Sequence, residues 1–248
     1  MGAYLRPVYH AMEPPRLNRH LCYLLAAMLL AGCSSDVDRA REAVTDSLVI
    51  HTDLEFHELE AFPGDVVCGS FSAYTSYSEP RVEHQPFLYL RGTVDKAPSA
   101  RDLKFYCSTD HSNSLLEMSG IGPFTADNDA LAQITRDMTL LTAALETYYT
   151  DNHVYPTAAQ GLAALVSKPE GGRPLPRYRE GGYLKSVPAD PFGHPYRYTE
   201  MQWGRTKGRF TLSTLGRSAQ PGGGGDEADV STEYLPYLQH IAQLLGVD

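Results

Sequence analysis

The chain has 248 residues, with 21 basic and 30 acidic side chains and a formal net charge of −9. An acidic excess of this size disfavours binding to nucleic acid and electrostatic attachment to anionic lipid. The length leaves room for two modest domains.

Residues 1–32 have the pattern of a bacterial lipoprotein signal peptide. Arginines precede an apolar segment at residues 21–30, which is too short to span a bilayer as an ordinary helix. The segment ends in Leu-Ala-Gly-Cys, which resembles the lipobox that is cut just before its cysteine. We therefore expect Cys33 to carry the lipid anchor. A buried N-terminal helix is the alternative, and the polar residues that follow disfavour it. Met1 and Met12 are both candidate starts.

The remaining cysteines and the residue after Cys33 indicate a compartment. Ser34 resembles the pattern that sends lipoproteins of enteric bacteria to the outer membrane. We expect a lipid-anchored protein of the bacterial envelope, at the outer membrane and facing the periplasm. Cys68 and Cys107 are then expected to form a disulfide in an oxidising environment. A metal site is disfavoured, because neither cysteine has a second ligand at the usual spacing.

Residues 33–120 are predicted to form a small α+β domain of unassigned role. Apolar residues on one side predict a helix over residues 36–50. Residues 110–127 are rich in Ser, Asn and Gly, a composition that is typical of a linker. We place the boundary between the two domains at residues 121–128. Apolar and aromatic segments bounded by Pro and Gly predict strands at residues 65–69, 86–90 and 103–107.

The strongest helical pattern lies at residues 129–152, where apolar side chains recur at alternating steps of three and four. Asp127, Asn128 and Asp129 are candidates for its N-cap, and Asn152 is the candidate for the left-handed residue that ends it. The apolar stripe consists of Leu131, Ile134, Met138, Leu141, Leu145 and Tyr148.

The residues after this helix predict a small antiparallel sheet of about three strands on which the helix packs, an α+β unit. Residues 233–248 form a tail in which a final helix is predicted. The other predicted elements are a short helix at 158–166, an irregular loop at 170–179, a tight turn at 190–193 and strands at 196–198 and 208–213.

Five short segments follow the long helix in a fixed order. They are YTDNHVYPT at 149–157, QGLAAL at 160–165, GGYLK at 181–185, DPFGHPYRY at 190–198 and the glycine-rich loop 215–230. In this order they resemble the head of the major pseudopilin of bacterial type II secretion, over residues 129–232. The resemblance implies a structural subunit of a periplasmic filament that drives secretion.

The family's filament core is a long apolar helix that follows a leader cut after glycine. Near residue 120 this chain has GPFTADND instead, and its acids are incompatible with a membrane span. We therefore expect the globular head to be kept without the polymerising helix, and the lipid anchor to take that helix's place.

The resemblance also implies a calcium loop. By position, the Leu215 carbonyl and the Asp229 carboxylate correspond to ligands of the family. Ser218 stands where the family has its first loop aspartate, Arg217 is beside it, and Asp226 is a candidate replacement. A flexible loop without metal is the alternative. A phosphate site is disfavoured by the acids that follow the four glycines.

The sequence disfavours an enzyme, because it holds no HExxH or GxSxG motif and no cysteine free to act as a nucleophile. Asp190 and His194 could form an acid–base pair, but the turn explains both. The preferred hypothesis is a non-enzymatic envelope lipoprotein whose head serves assembly or binding, with secretion-apparatus or other envelope proteins as partners. The alternative is a ligand-binding or inhibitor lipoprotein in which residues 33–120 function and the head is a spacer.

Overall fold

The structure is a computed structural model that describes residues 36–201 and 209–247. The predicted leader, the lipid site Cys33 and the start of the predicted strand at 208–213 lie outside the described residues. None of the helices in the described ranges combines the length and the apolar character needed to cross a membrane.

The first part of the chain is an antiparallel sheet with a helix on one face. Helix α1 covers residues 36–46, as the apolar pattern predicts, but it is shorter than the predicted 36–50. Val44 of α1 packs in one core with Phe71 and Phe87 of the sheet. The strands, in the order in which they pair, are β1 (Thr52–Phe62), β2 (Val66–Tyr74), β3 (Val82–Leu90) and β4 (Thr93–Asp95).

The predicted strand at residues 103–107 is wrong, because residues 103–106 lie in helix α2 (Ala100–Tyr106) and Cys107 is its C-cap. Ser99 caps the helix: its hydroxyl accepts a hydrogen bond from the main-chain N–H of Asp102 at 3.0 Å. The helix has only two turns, so its aromatic residues show no helical period that would separate it from a strand.

The prediction that the linker begins at residue 110 is also wrong. Helix α3 (His111–Ser119) occupies much of this segment, with the Asp110 side chain as its N-cap and Gly120 as its left-handed C-cap. Residues 121–128 contain neither helix nor strand. Ile121 and Phe124 in this connection are nevertheless buried.

The predicted disulfide between Cys68 and Cys107 is confirmed. It joins β2 to the residue that follows α2, with 6.0 Å between the Cα atoms and a sequence separation of 39. Cys68 of β2 packs in one core with Phe105 of α2 and Leu115 of α3, whereas Val67 packs in the core that contains α1. Because successive side chains of a strand point to opposite faces, the bond attaches the α2–α3 pair to the face of the sheet opposite to α1.

The predicted long helix is confirmed as α4 (Asp129–Asn152). Asn128 is its N-cap: the side-chain oxygen accepts a hydrogen bond from the Leu131 N–H at 3.0 Å. The left-handed residue at the other end is His153, so the expectation for Asn152 is wrong by one position. Asn152 stays helical and buried, where its amide donates to the Tyr183 hydroxyl at 2.8 Å.

The second sheet packs beside α4, as predicted, and has three antiparallel strands in the order β5–β6–β7. The short helix is a single 3-10 segment (Gly161–Leu165) rather than the predicted 158–166. The predicted C-terminal helix is confirmed as α5. These elements are β5 (Arg197–Met201), β6 (Arg209–Thr214), β7 (Val230–Ser231) and α5 (Leu235–Leu245).

One large core extends across both parts of the chain. It includes Val66 of β2 and Phe105 of α2 together with Met138 of α4, Leu212 of β6 and Leu238 of α5. Helix α5 contacts both α4 and α3. The fold is therefore α+β, as predicted, and residues before and after the predicted boundary at 121–128 contribute to the same core.

Candidate functional site

The candidate site is the loop from Leu215 to Asp229, which leaves β6 and returns to β7. The segment packs by close main-chain contact. A Cβ atom on Gly216 would lie 2.5 Å from the Asp226 carbonyl oxygen, and one on Gly223 would lie 2.6 Å from that of Glu227. The N–H of Gly225 donates to the Gly120 carbonyl at 3.0 Å. The glycines thus let the loop lie against the connection that precedes α4.

The turn beside the loop is built on the buried carboxylate of Asp190. Its Oδ1 accepts hydrogen bonds from the main-chain N–H groups of Phe192 and His194, at 3.0 and 2.8 Å. Its Oδ2 accepts from the Thr214 hydroxyl at 2.5 Å. The carboxylate therefore orients the turn against the end of β6.

The Asp190 carboxylate and the His194 ring have different partners. The His194 Nε2 lies 3.4 Å from the Arg217 carbonyl oxygen. The contacts of both residues are those of a structural turn, as the sequence indicates, and not those of an acid–base pair.

Arg217 closes the loop with a charged pair. Its guanidinium donates to Asp226 Oδ2 at 2.7 Å, and its main-chain N–H donates to the Asp226 carbonyl at 2.8 Å. The guanidinium carbon also lies 4.8 Å from the centre of the Phe192 ring. Asp226 therefore already has a cation as partner.

The residues of the predicted calcium site have different surroundings. Asp229 Oδ2 accepts from the Gly222 N–H at 3.0 Å, whereas its Oδ1 is buried and has no hydrogen-bond partner. Ser218 accepts from the Gln220 N–H at 3.3 Å, and Leu215 directly follows β6. Across the described residues, no group of three His, Cys, Asp or Glu side chains could hold a metal. A cation would satisfy the unpaired oxygen of Asp229, and main-chain carbonyls would have to supply the further oxygen ligands that a calcium ion needs.

Sequence reasoning missed a cluster of buried histidines outside this loop. His111 and His240 lie in contact, although the first falls in the predicted linker and the second in the tail. The only hint in the sequence is that His240 lies next to Ile241 in an apolar helix. Outside this pair, the His57 Nε2 lies 3.0 Å from the Ser72 hydroxyl.

Comparison with known proteins gives the same family as the motifs. Residues 125–233 match the family model described as type II secretion system (T2SS), protein G. These residues form a major-pseudopilin-like domain. The predicted resemblance of residues 129–232 is therefore confirmed.

Individual relatives match this pseudopilin-like domain. The type II secretion system core protein G of Pseudomonas aeruginosa is 43% identical over 94 residues, which are 38% of this chain and 64% of that protein. The core protein G of Vibrio cholerae is 48% identical over 94 residues, 38% of this chain and 62% of that protein. The chain thus spans less than two thirds of the length of these relatives.

A crystal structure of the major pseudopilin from the type 2 secretion system of enterohaemorrhagic Escherichia coli also matches. It is 31% identical, with coverage of 43% of this chain and 88% of that chain and a TM-score of 0.36.

Proposed function

We propose that the chain is a non-enzymatic envelope lipoprotein that presents its pseudopilin-like domain to the type II secretion apparatus. The observation that supports this function is the match of residues 125–233 to the protein G family, over a segment that holds α4, the second sheet and the loop. A lipid on Cys33 would hold this domain at the outer membrane, facing the periplasm. Its role there would be assembly or binding.

The test is site-specific photo-crosslinking in secreting cells from two exposed tyrosines. Tyr149 lies on α4 and is 39% exposed, whereas Tyr77 lies between β2 and β3 and is 96% exposed. Each is replaced by the same photoreactive phenylalanine analogue. We expect position 149 to give an adduct with a type II secretion component and position 77 to give none. Adducts with secretion components from position 77 alone, or from neither position, would contradict the proposal.

Cys33→Ser is the matched control for the anchor in the same cells. Without a lipobox cysteine the precursor is expected to stay uncut, to take up no fatty-acid analogue and to lose the adduct from position 149. Normal cutting and labelling of Cys33→Ser would show that Cys33 is not the lipid site.

We also propose that calcium binds weakly at Asp229, with the Leu215 carbonyl and the Ser218 hydroxyl as further oxygen ligands. The affinity should lie at about 10⁻⁴–10⁻³ M, as in other extracellular calcium modules, because the site has few carboxylates. The Oδ2 of Asp226 is bonded to Arg217 at 2.7 Å, so that this oxygen can bind the ion only if the pair with Arg217 opens. Arg217 and the ion therefore compete for the same carboxylate.

Melting curves of the full chain with millimolar calcium or with chelator test this site. We expect calcium at tenfold its dissociation constant to stabilise the wild type by about 1.4 kcal/mol. Asp229→Ala should abolish the shift, and Arg217→Gln should increase it by releasing Asp226. Identical curves with calcium and with chelator for both wild type and Arg217→Gln would refute calcium binding.

A further inference from the structure

Two buried histidines lie where the C-terminal helix meets the first part of the chain. His240 of α5 is 1% exposed and His111 of α3 is 4% exposed. Their ring centroids are 4.6 Å apart, at an interplanar angle of 62°. The Nε2 atom of each ring is buried without a hydrogen-bond partner. The pair is therefore part of the contact that holds α5 against α3.

Arg91, from the turn between β3 and β4, fixes the protonation of one ring. A guanidinium nitrogen of Arg91 lies 2.9 Å from His240 Nδ1. Because a guanidinium can only donate, Nδ1 must accept, and the single ring proton lies on Nε2. A second proton on His240 would therefore displace this bond and place two cations side by side.

The other neighbours of the pair are mainly aromatic. Phe105 and Tyr106 of α2 lie with their ring centroids 5.8 and 5.1 Å from that of His240. The turn between β1 and β2 is also close, since a Cβ on Gly64 would lie 2.5 Å from His240 Cε1. The His240 ring is therefore packed closely by aromatic rings and by the main chain of this turn.

The nearest acids serve other partners. Asp102 Oδ1 accepts from the Tyr237 hydroxyl at 2.6 Å, and Arg101 lies over the Tyr237 ring with its guanidinium carbon 5.7 Å from the centroid. Asp110 caps α3 through the Asn113 N–H at 2.9 Å. Among the described residues, no carboxylate therefore forms a hydrogen bond with the imidazole of His111 or of His240.

We propose that His111 and His240 form an acid-sensitive latch that releases α5 from the first part of the chain as the pH falls. Release would expose the apolar face of α5, which contains Leu238 and Ile241. It would also separate α5 from the disulfide-linked α2–α3 pair, so that the pseudopilin-like domain could change its position relative to the first sheet.

The direction of the effect follows from the protonation of the two states. Burial lowers the pKa of His240 to about 3, with His111 and Arg91 adding to the shift, and burial also lowers the pKa of His111. The main-chain oxygen of Pro63 opposes the shift in the pKa of His240, and the main-chain oxygen of Tyr106 and the charge of Asp110 oppose the shift in the pKa of His111, without reversing either one. In the released state both histidines would regain an ordinary pKa of about 6.5. The released state therefore binds more protons below that pH, and the latch is closed above it.

The test is hydrogen exchange of the full chain between pH 7.5 and pH 5.0. Exchange in α5 is compared with exchange in the second half of α4 of the same molecule, so that the intrinsic pH dependence cancels. We expect the opening equilibrium of α5 to rise by up to about tenfold per pH unit for each histidine, once the pH is below 6. An α5-to-α4 ratio that is the same at both pH values would overturn the proposal.

Variants show whether the two histidines cause the response. His111→Gln/His240→Gln removes both titrating rings and should flatten it, whereas His51→Gln changes an exposed histidine and should leave it intact. A response that survives in the double variant would overturn the proposal. A ring titration of the wild-type protein by NMR keeps the test valid if the double variant does not fold. In molecules whose α5 is still in place, the His240 ring should stay neutral at pH 5.5, and protonation of that ring near pH 6.5 without release of α5 would also overturn the proposal.

Discussion

Leu141→Ala is expected to lower the free energy of unfolding by about 3 kcal/mol, within the range of about 2–5 kcal/mol for large-to-small changes in a core. Leu141 has no exposed surface and lies in the middle of α4, in the large core. The change removes the transfer free energy of the lost carbon atoms and leaves a cavity that the surrounding helices and sheet only partly fill. Urea unfolding of the full chain measures the effect.

The neighbouring residue offers a matched control. Leu140→Ala removes the same atoms from the same helix, but the Leu140 side chain is 48% exposed. Its cost should therefore be much smaller, about 0.5 kcal/mol or less. Equal losses for the two variants would mean that α4 does not bury the face that contains Leu141.

Removal of the disulfide by Cys68→Ala/Cys107→Ala is expected to cost about 3–4 kcal/mol in the chain-entropy model. The bond closes a loop with a sequence separation of 39, and without it the unfolded chain gains conformational freedom. Alanine is preferred to serine because Cys68 is buried and a hydroxyl there would need a hydrogen-bond partner. The unfolding midpoint in urea measures the difference.

Reductant separates loss of the bond from loss of side-chain packing. It should lower the midpoint of the wild type and leave the double variant unchanged. A wild type that does not respond to reductant under unfolding conditions, or free thiols at both positions in the exported protein, would contradict the disulfide.

The sequence predicted α4 almost to the residue because the signals for that helix are local. A repeat of three and four over 24 residues and a side-chain cap at Asn128 need no information from the rest of the fold. The turn at Asp190 was predicted for the same reason. In contrast, α2 is too short to show its period and was predicted as a strand.

Strand β1 was missed because its alternation is interrupted. The pairing of β1 with β2 shifts register twice, and Asp53 and Glu58 both have positive φ. Each irregularity moves the following side chains to the opposite face, so that apolar residues no longer recur at every second position. Such shifts depend on the partner strand and are not visible in one segment.

The candidate site was predictable in position but not in its contacts. The motif order placed the loop between Leu215 and Asp229, and Arg217 was identified as a cation close to the expected ion. The pairing of Arg217 with Asp226 and the unpaired Oδ1 of Asp229 depend on how the loop folds back on itself. The contact between His111 and His240 likewise depends on tertiary packing of α5.

The central structural claim is that the pseudopilin-like domain and the residues before it share one core. Native-state hydrogen exchange of Leu141→Ala tests it most directly, by following β2 of the first sheet and β6 of the second in the same molecule. A shared core predicts that protection in the two strands falls by the same factor, about 150-fold for a loss of 3 kcal/mol. A variant in which β6 loses protection and β2 keeps the wild-type value would contradict the shared core and show that the two parts unfold independently.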